Sequence, residues 1–126
     1  MSIKGKDFLK ASHKCLELSS EVGYRSAISR AYYGLYHEVC GLLTCCPPTT
    51  HDGVVQYLTT DARRKDEPYE LLSLVQLGAV LKQQKTKRKC ADYELNKTVT
   101  DIEANSSLVV VQKMLDKIDA MKTEAA

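Results

Sequence analysis

Residues 24–44 read YRSAISRAYYGLYHEVCGLLT. Within them Ala27, Ile28, Ala31, Tyr32, Leu35, Val39, Leu42 and Leu43 recur at spacings of one, three and four. At about 3.6 residues per turn, a helix stacks such positions into one apolar stripe that must be buried against other elements. No other stretch has so strong a pattern, and none keeps the alternation of a strand. Cys45-Cys46-Pro47-Pro48 stops the helix, because consecutive prolines remove backbone donors and crowd the preceding turn.

Outward from this helix the chain reads as more helices. Residues 4–20 place Phe8, Leu9, Cys15, Leu16 and Ser19 near one face, with Lys4, Lys6, Lys10, Lys14 and Glu17 mostly elsewhere. Glu21-Val22-Gly23 is expected to break that helix, with Gly23 as terminator. Downstream, Thr49, Thr50 and Asp52 offer caps for a short helix to about Leu58. The polar run TTDARRKDE, 59–67, reads as a loop, and Pro68 suits the first turn of the next helix. That helix carries Leu71, Leu72, Leu74, Val75, Leu77, Val80 and Leu81. It turns basic from Lys82, which favours the dipole of a last turn. Thr100-Asp101-Ile102-Glu103 has the pattern of a capping box. It opens a final helix with Ile102, Leu108, Val111, Leu115, Ile118 and Met121 on its buried face. The expected fold is all-α: one domain, 1–126, an up-down helical bundle of four long helices plus one short helix.

Composition agrees with that fold. The 126 residues are 44% hydrophobic and 27% charged, with only three prolines and six glycines, too few for a turn-rich sandwich. A net charge of +2 does not by itself demand nucleic acid. No apolar run is long enough for a membrane span, and the charged N-terminus lacks the apolar core of a signal peptide. The expected location is cytoplasmic. Cys15, Cys40, Cys45, Cys46 and Cys90 are odd in number and show no CxxC, so reduced thiols are expected rather than disulfides. Cys40, Cys45, Cys46 and His51 follow no common zinc spacing, and no metal or cofactor is expected.

Candidate chemistry is sparse. There is no Gly-rich phosphate loop, HExxH or GxSxG. Arg30 and His37 stand two helical turns apart on one face and could pair a phosphate clamp with a general acid or base. Seven of the eight aromatics are tyrosines. Tyr32 and Tyr36 read as core, and Tyr33 as an interface residue. The stretch KTKRKCADYEL, 85–95, crowds Lys85, Lys87, Arg88 and Lys89 before Asp92 and Tyr93. It reads either as a solvated helix end or as a site that handles phosphate.

Three segments together resemble the HEPN domain family. RSAISRAYYGLYHEV, 25–39, is similar to its second-helix signature. Thr50-His51-Asp52-Gly53-Val54 is similar to its Ser/Thr-His-x-Gly-Val segment, and Arg88-Lys89-Cys90-Ala91-Asp92-Tyr93 to its Arg-x-x-Ala-Asp-Tyr element. They occur in the family's order and spacing. The resemblance implies a small helical bundle, usually a homodimer, often beside a minimal nucleotidyltransferase. Many members are metal-independent ribonucleases acting as toxins or in phage defence, through an arginine followed a few residues later by histidine. Arg88 and Tyr93 carry over; that histidine does not, because none occurs after His51. The resemblance therefore implies an RNA- or nucleotide-binding module of a toxin–antitoxin or defence system, with a degenerate ribonuclease motif. Its partners would be a second copy, a nucleotidyltransferase or antitoxin, and RNA. Arg88, Asp92 and Tyr93 are its site candidates, Lys85, Lys87, Arg88 and Lys89 its nucleic-acid contacts, and Tyr93 a candidate for adenylylation by the partner. The alternatives are an active ribonuclease using Arg30 and His37, or Arg88 with another base, and a non-catalytic dimeric interaction module.

Overall fold

Five α-helices build the protein: α1 (Gly5–Leu16), α2 (Glu21–Leu42), α3 (His51–Thr59), α4 (Leu71–Tyr93) and α5 (Asp101–Ala125). A 3₁₀ turn, Ala62–Asp66, stands between α3 and α4, within the stretch expected to be a plain loop. The structure is a computed structural model that describes residues 2–126. No strand occurs among them. Helix α2 lies at the centre, packed on α1, α4 and α5, while α3 covers α4 and α1 touches α5. Ala27, Ala31, Tyr32, Leu35 and Val39 of α2 are fully buried, so its apolar stripe is the floor of the core. Leu74, Leu77 and Leu81 of α4 and Leu108, Val111, Leu115 and Ile118 of α5 meet it. The all-α bundle read from the sequence is the fold observed. No helix among the described residues is long and apolar enough to cross a membrane.

Helices α1 and α2 approach closely through two glycines. A Cβ at Gly5 would stand 2.6 Å from the Gly34 carbonyl oxygen, and one at Gly34 would stand 2.9 Å from that of Gly5. Any side chain there would push the helices apart. Glu38 uses this proximity: its Oε2 accepts from the Gly5 amide at 3.1 Å, satisfying an orphan donor of the first turn of α1.

Four local expectations are corrected. Gly23 does not end α1. That helix stops at Leu16, and Ser19 reverses the chain at φ 49°. Gly23 sits in the first turn of α2, where its amide donates to the capping hydroxyl of Ser20 at 3.3 Å. A Cβ on Gly23 would meet the Cys15 carbonyl oxygen at 2.5 Å, so the glycine serves the tight approach of the two helix ends. Pro68 lies outside α4, which begins at Leu71. The basic run is not the last turn of α4 either: the helix continues to Tyr93 and its last turn holds no basic residue. Ile102 is 76% exposed, because Ala104, Ser107, Leu108 and Val111 are the residues that α5 turns inward. Thr100 does cap α5, its hydroxyl accepting from the Glu103 amide at 3.2 Å.

Candidate functional site

Arg88 arrives on the buried face of α4, with only 10% of its side chain exposed. Its guanidinium carbon lies 5.5 Å from the Tyr32 ring centre and 5.6 Å from that of Tyr33. The two rings follow each other on α2, about 100° apart, and meet edge to face at 5.4 Å. Their negative faces attract the cation in a place where water is largely excluded. Nη1 donates to Asp92 Oδ2 at 3.5 Å, one turn further along α4, and the same oxygen accepts from Ser29 Oγ at 3.2 Å. Arg88 Nε is buried without a partner. Gln84, one turn earlier, likewise buries an unpartnered Oε1. Three elements of the sequence reading are thus brought together: Arg88, Asp92 and the tyrosine pair. Tyr33, expected at an interface, is partly buried and also contacts Arg88 within its own chain.

His51 reaches the same cluster from α3. Thr50 caps that helix, its hydroxyl accepting from the Gly53 amide at 3.1 Å, and this fixes His51 as the first helical residue. The imidazole stacks on Tyr36 at 3.8 Å with the planes 9° apart, and Nδ1 stands 2.6 Å from the Tyr32 hydroxyl. Burial, then the charges of Lys85 and Arg88, push its pKa below the usual imidazole value, so the ring is neutral at pH 7. Burial drives the Tyr32 hydroxyl well above its ordinary pKa, even against the lowering influence of Arg88. The hydroxyl therefore keeps its proton. A neutral imidazole and a protonated hydroxyl can share this hydrogen bond in either direction, so the tautomer of His51 follows from which of the two donates. Sequence reasoning weighed His51 only as a zinc ligand and did not place it with Arg88; its signal was its place in the Thr-His-x-Gly-Val segment.

The lysines do not form one patch. Lys85, its side chain 13% exposed, pairs with Asp52 of α3 at 2.5 Å. Lys89 is exposed one turn further on and also acts on Asp52. Lys87 faces elsewhere, lining a cleft with Ile28, Cys90, Val99, Glu103 and Ser107. Tyr93 ends α4 at 72% exposure. Arg30 is exposed, while His37 stacks on Phe8 at 5.2 Å. No hydrogen bond or ion pair joins Arg30 to His37 among the described residues. The same residues hold no group of three or more His, Cys, Asp or Glu side chains arranged for a metal ion.

The cluster thus offers a planar guanidinium fork, the largely buried ammonium of Lys85 and a neutral imidazole near one another, with the exposed ammonium of Lys89 beside Asp52. Two carboxylates, Asp92 and Asp52, orient the cations. Such a set can receive an oxyanion. No protein-family model, curated protein or solved structure matches this chain.

Proposed function

We propose that this protein is an RNA- or nucleotide-binding module of the HEPN kind, serving a toxin–antitoxin or phage-defence system and using the Arg88 cluster for phosphate. One observation carries the reading. The motif arginine is nine-tenths buried between two tyrosine rings with part of its donor set unused, and its charge and that of Lys85 both act on His51. Burying a guanidinium costs free energy, and an incoming phosphate would return that cost as charge-assisted hydrogen bonds.

Fluorescence titration of short single-stranded RNA at several salt concentrations tests this. The slope of log K against log salt should be about −0.7 per phosphate contacted. Replacing Lys85 and Lys89 by alanine should flatten it by about two phosphates' worth, or 1.4. Lys87→Ala should leave it, since that side chain lines another cleft. Arg88→Lys keeps the charge, loses the fork, and should weaken binding at least about tenfold. Wild-type affinity and slope in the Lys85/Lys89 double variant would reduce the basic run to a solvated helix face.

A second reading is cleavage. His51 stands where it could supply the imidazole absent after Arg88, and acid–base help of that kind is worth about 10²–10⁴ in rate. The same RNA, run on a gel after titration, decides. Cutting that disappears in both His51→Ala and Arg88→Lys makes the module a ribonuclease; intact RNA leaves it a binder.

Assembly as a homodimer belongs to the same proposal. Leu18, Val22, Leu95 and Ile102 are exposed near one end of the bundle, where the start of α2 meets the link from α4 to α5. Light scattering at micromolar concentration should return twice the 14.1 kDa chain mass. A monomer across that range would remove the dimer.

A further inference from the structure

We infer that the cavity beside Tyr36 seats one unpaired base of the ligand whose phosphate meets Arg88. This rests on the phosphate reading above and adds a second subsite to it. The cavity measures about 260 Å³ and lies between the C-terminal half of α2 and the Cys-Cys-Pro-Pro link into α3. Its walls are Tyr36, Leu43, Val54, Pro47, Pro48, Thr49 and the thiols of Cys40 and Cys46. None of these side chains carries a formal charge at pH 7. Burial holds both thiols above their ordinary pKa, and Tyr36 is pushed up to about 12. A phosphate or a sugar finds no ionic partner there, whereas a flat ring finds apolar walls and an aromatic side chain. The volume is below the roughly 300–1,000 Å³ of sites for drug-sized ligands, which suits a single ring system.

Position selects the occupant. Tyr36 is a wall shared by both subsites: it lines the cavity and stacks on His51 at 3.8 Å. From Tyr36 the rings step 6.2 Å to Tyr32, and Arg88 stands 5.5 Å from Tyr32. A ring seated in the cavity therefore has the guanidinium within the reach of one or two nucleotides. Paired bases are stacked inside a duplex and cannot turn out into such a cavity, so the ligand is single-stranded or a free nucleotide. The only hydrogen-bonding side chains on the walls are the Tyr36 and Thr49 hydroxyls and two thiols. Affinity should come from stacking and apolar contact, with weak discrimination among bases.

The larger cavity across Cys46 and Pro47, about 410 Å³, is a poorer seat. Its one cation, Arg63, is already held by Asp61, through Nε at 3.0 Å and Nη2 at 2.6 Å.

Calorimetric titration with adenosine 5′-monophosphate, with the 5′-phosphorylated dinucleotide pApA that covers a two-nucleotide span, and with ribose 5-phosphate separates the two subsites. The wild-type protein should bind the better of the two nucleotides about tenfold more tightly than the sugar phosphate, the usual gain from one stacked base. Cys40→Phe fills the cavity from an exposed position on α2 and should bring that nucleotide down to the level of ribose 5-phosphate. Tyr36→Leu removes the aromatic wall and should do the same, with folding of both variants checked by circular dichroism. Arg88→Lys should weaken all three ligands in proportion. Equal wild-type affinities, or an undiminished nucleotide advantage in folded Cys40→Phe, would overturn the base seat while leaving the phosphate site. Failure of all three ligands to bind the wild-type protein would remove the phosphate reading and the base seat with it.

Discussion

Replacing Glu67 by alanine is expected to cost the fold about 3 kcal/mol, the upper end for losing hydrogen bonds made to a charged group. Glu67 is 5% exposed, yet its carboxylate is fully engaged. Oε1 accepts from the Thr44 amide at 2.9 Å and the Thr44 hydroxyl at 2.8 Å. Oε2 accepts from the Cys45 amide at 2.8 Å and the Tyr57 hydroxyl at 2.6 Å. One carboxylate thus joins the end of α2, the middle of α3 and the approach to α4. Alanine would leave the buried Tyr57 hydroxyl unpaired, at about 1–3 kcal/mol, while the donors of exposed Thr44 and Cys45 would turn to water and lose only their tie to α3. Since a domain commonly holds only about 5–15 kcal/mol in total, a urea melt should show the variant's midpoint clearly lowered. Glu67→Gln keeps the shape but turns an NH₂ group toward donors, and should fall between the two.

The same carboxylate predicts a pH dependence. Burial alone would raise its pKa, but the Tyr57 hydroxyl, the Thr44 and Cys45 amides and the Thr44 hydroxyl together outweigh burial and hold it below the usual glutamate value. A group depressed in the folded state contributes fully above its unfolded pKa, near 4.5, and its contribution is lost as pH falls through the folded value. Wild-type stability should therefore drop more steeply than that of Glu67→Gln below about pH 4.5. Parallel stability curves for the two proteins from pH 7 to pH 3 would show that the donors do not hold the charged form.

Apolar periodicity made the architecture legible. The spacing from Ala27 to Leu43 placed α2, and Leu108 to Met121 placed α5, because burial of a stripe leaves its period in the residue types. Periodicity failed at the ends, where one or two residues decide. Ile102 has the right composition for the core but lies before the α5 stripe turns inward. Gly23 looked like a terminator because a sequence cannot distinguish a glycine needed for backbone rotation from one needed for close approach. The site was half legible. Arg88 and Asp92 stood in one motif, four residues apart on a helix. His51 lies far from them in the chain and joins them only because α3 folds over α4. Buried polar anchors were the least visible, since Glu67 and Arg25 have the residue types of ordinary surface positions.

Arg25→Ala is expected to destabilise the bundle by about 3 kcal/mol and to loosen the end of α4 that carries the site. The side chain is 10% exposed and spans from α2 to the last turn of α4 and the link beyond it. Nη1 donates to the Ala91 carbonyl at 2.9 Å and to that of Cys90 at 3.3 Å. Nη2 donates to the Glu94 carbonyl at 3.2 Å and to that of Lys97. The Ala91 carbonyl belongs to the last turn, which a helix end leaves short of intrahelical partners; those of Cys90 and Glu94 accept from Arg25 in addition to the Glu94 and Lys97 amides, and a cation there also opposes the negative pole of the helix dipole. Helix α4 lacks a basic residue in its last turn and takes one from α2 instead. Glu21 completes the clasp, 3.5 Å from Arg25 Nε, while its other oxygen accepts from the Val99 amide at 3.0 Å. Lysine keeps the charge but cannot fork toward carbonyls on both sides, so Arg25→Lys should recover less than half of the loss. The consequence extends to ligand binding, because Asp92 follows Ala91 directly and Arg88 depends on Asp92 for its orientation. Hydrogen exchange should therefore accelerate across residues 90–99 in Arg25→Ala. At temperatures where the variant is still folded, the RNA binding proposed above should weaken with that local loosening. Exchange rates in 90–99 equal to wild type, in a variant that is nonetheless less stable, would show that Arg25 supports the bundle as a whole and not the end of α4.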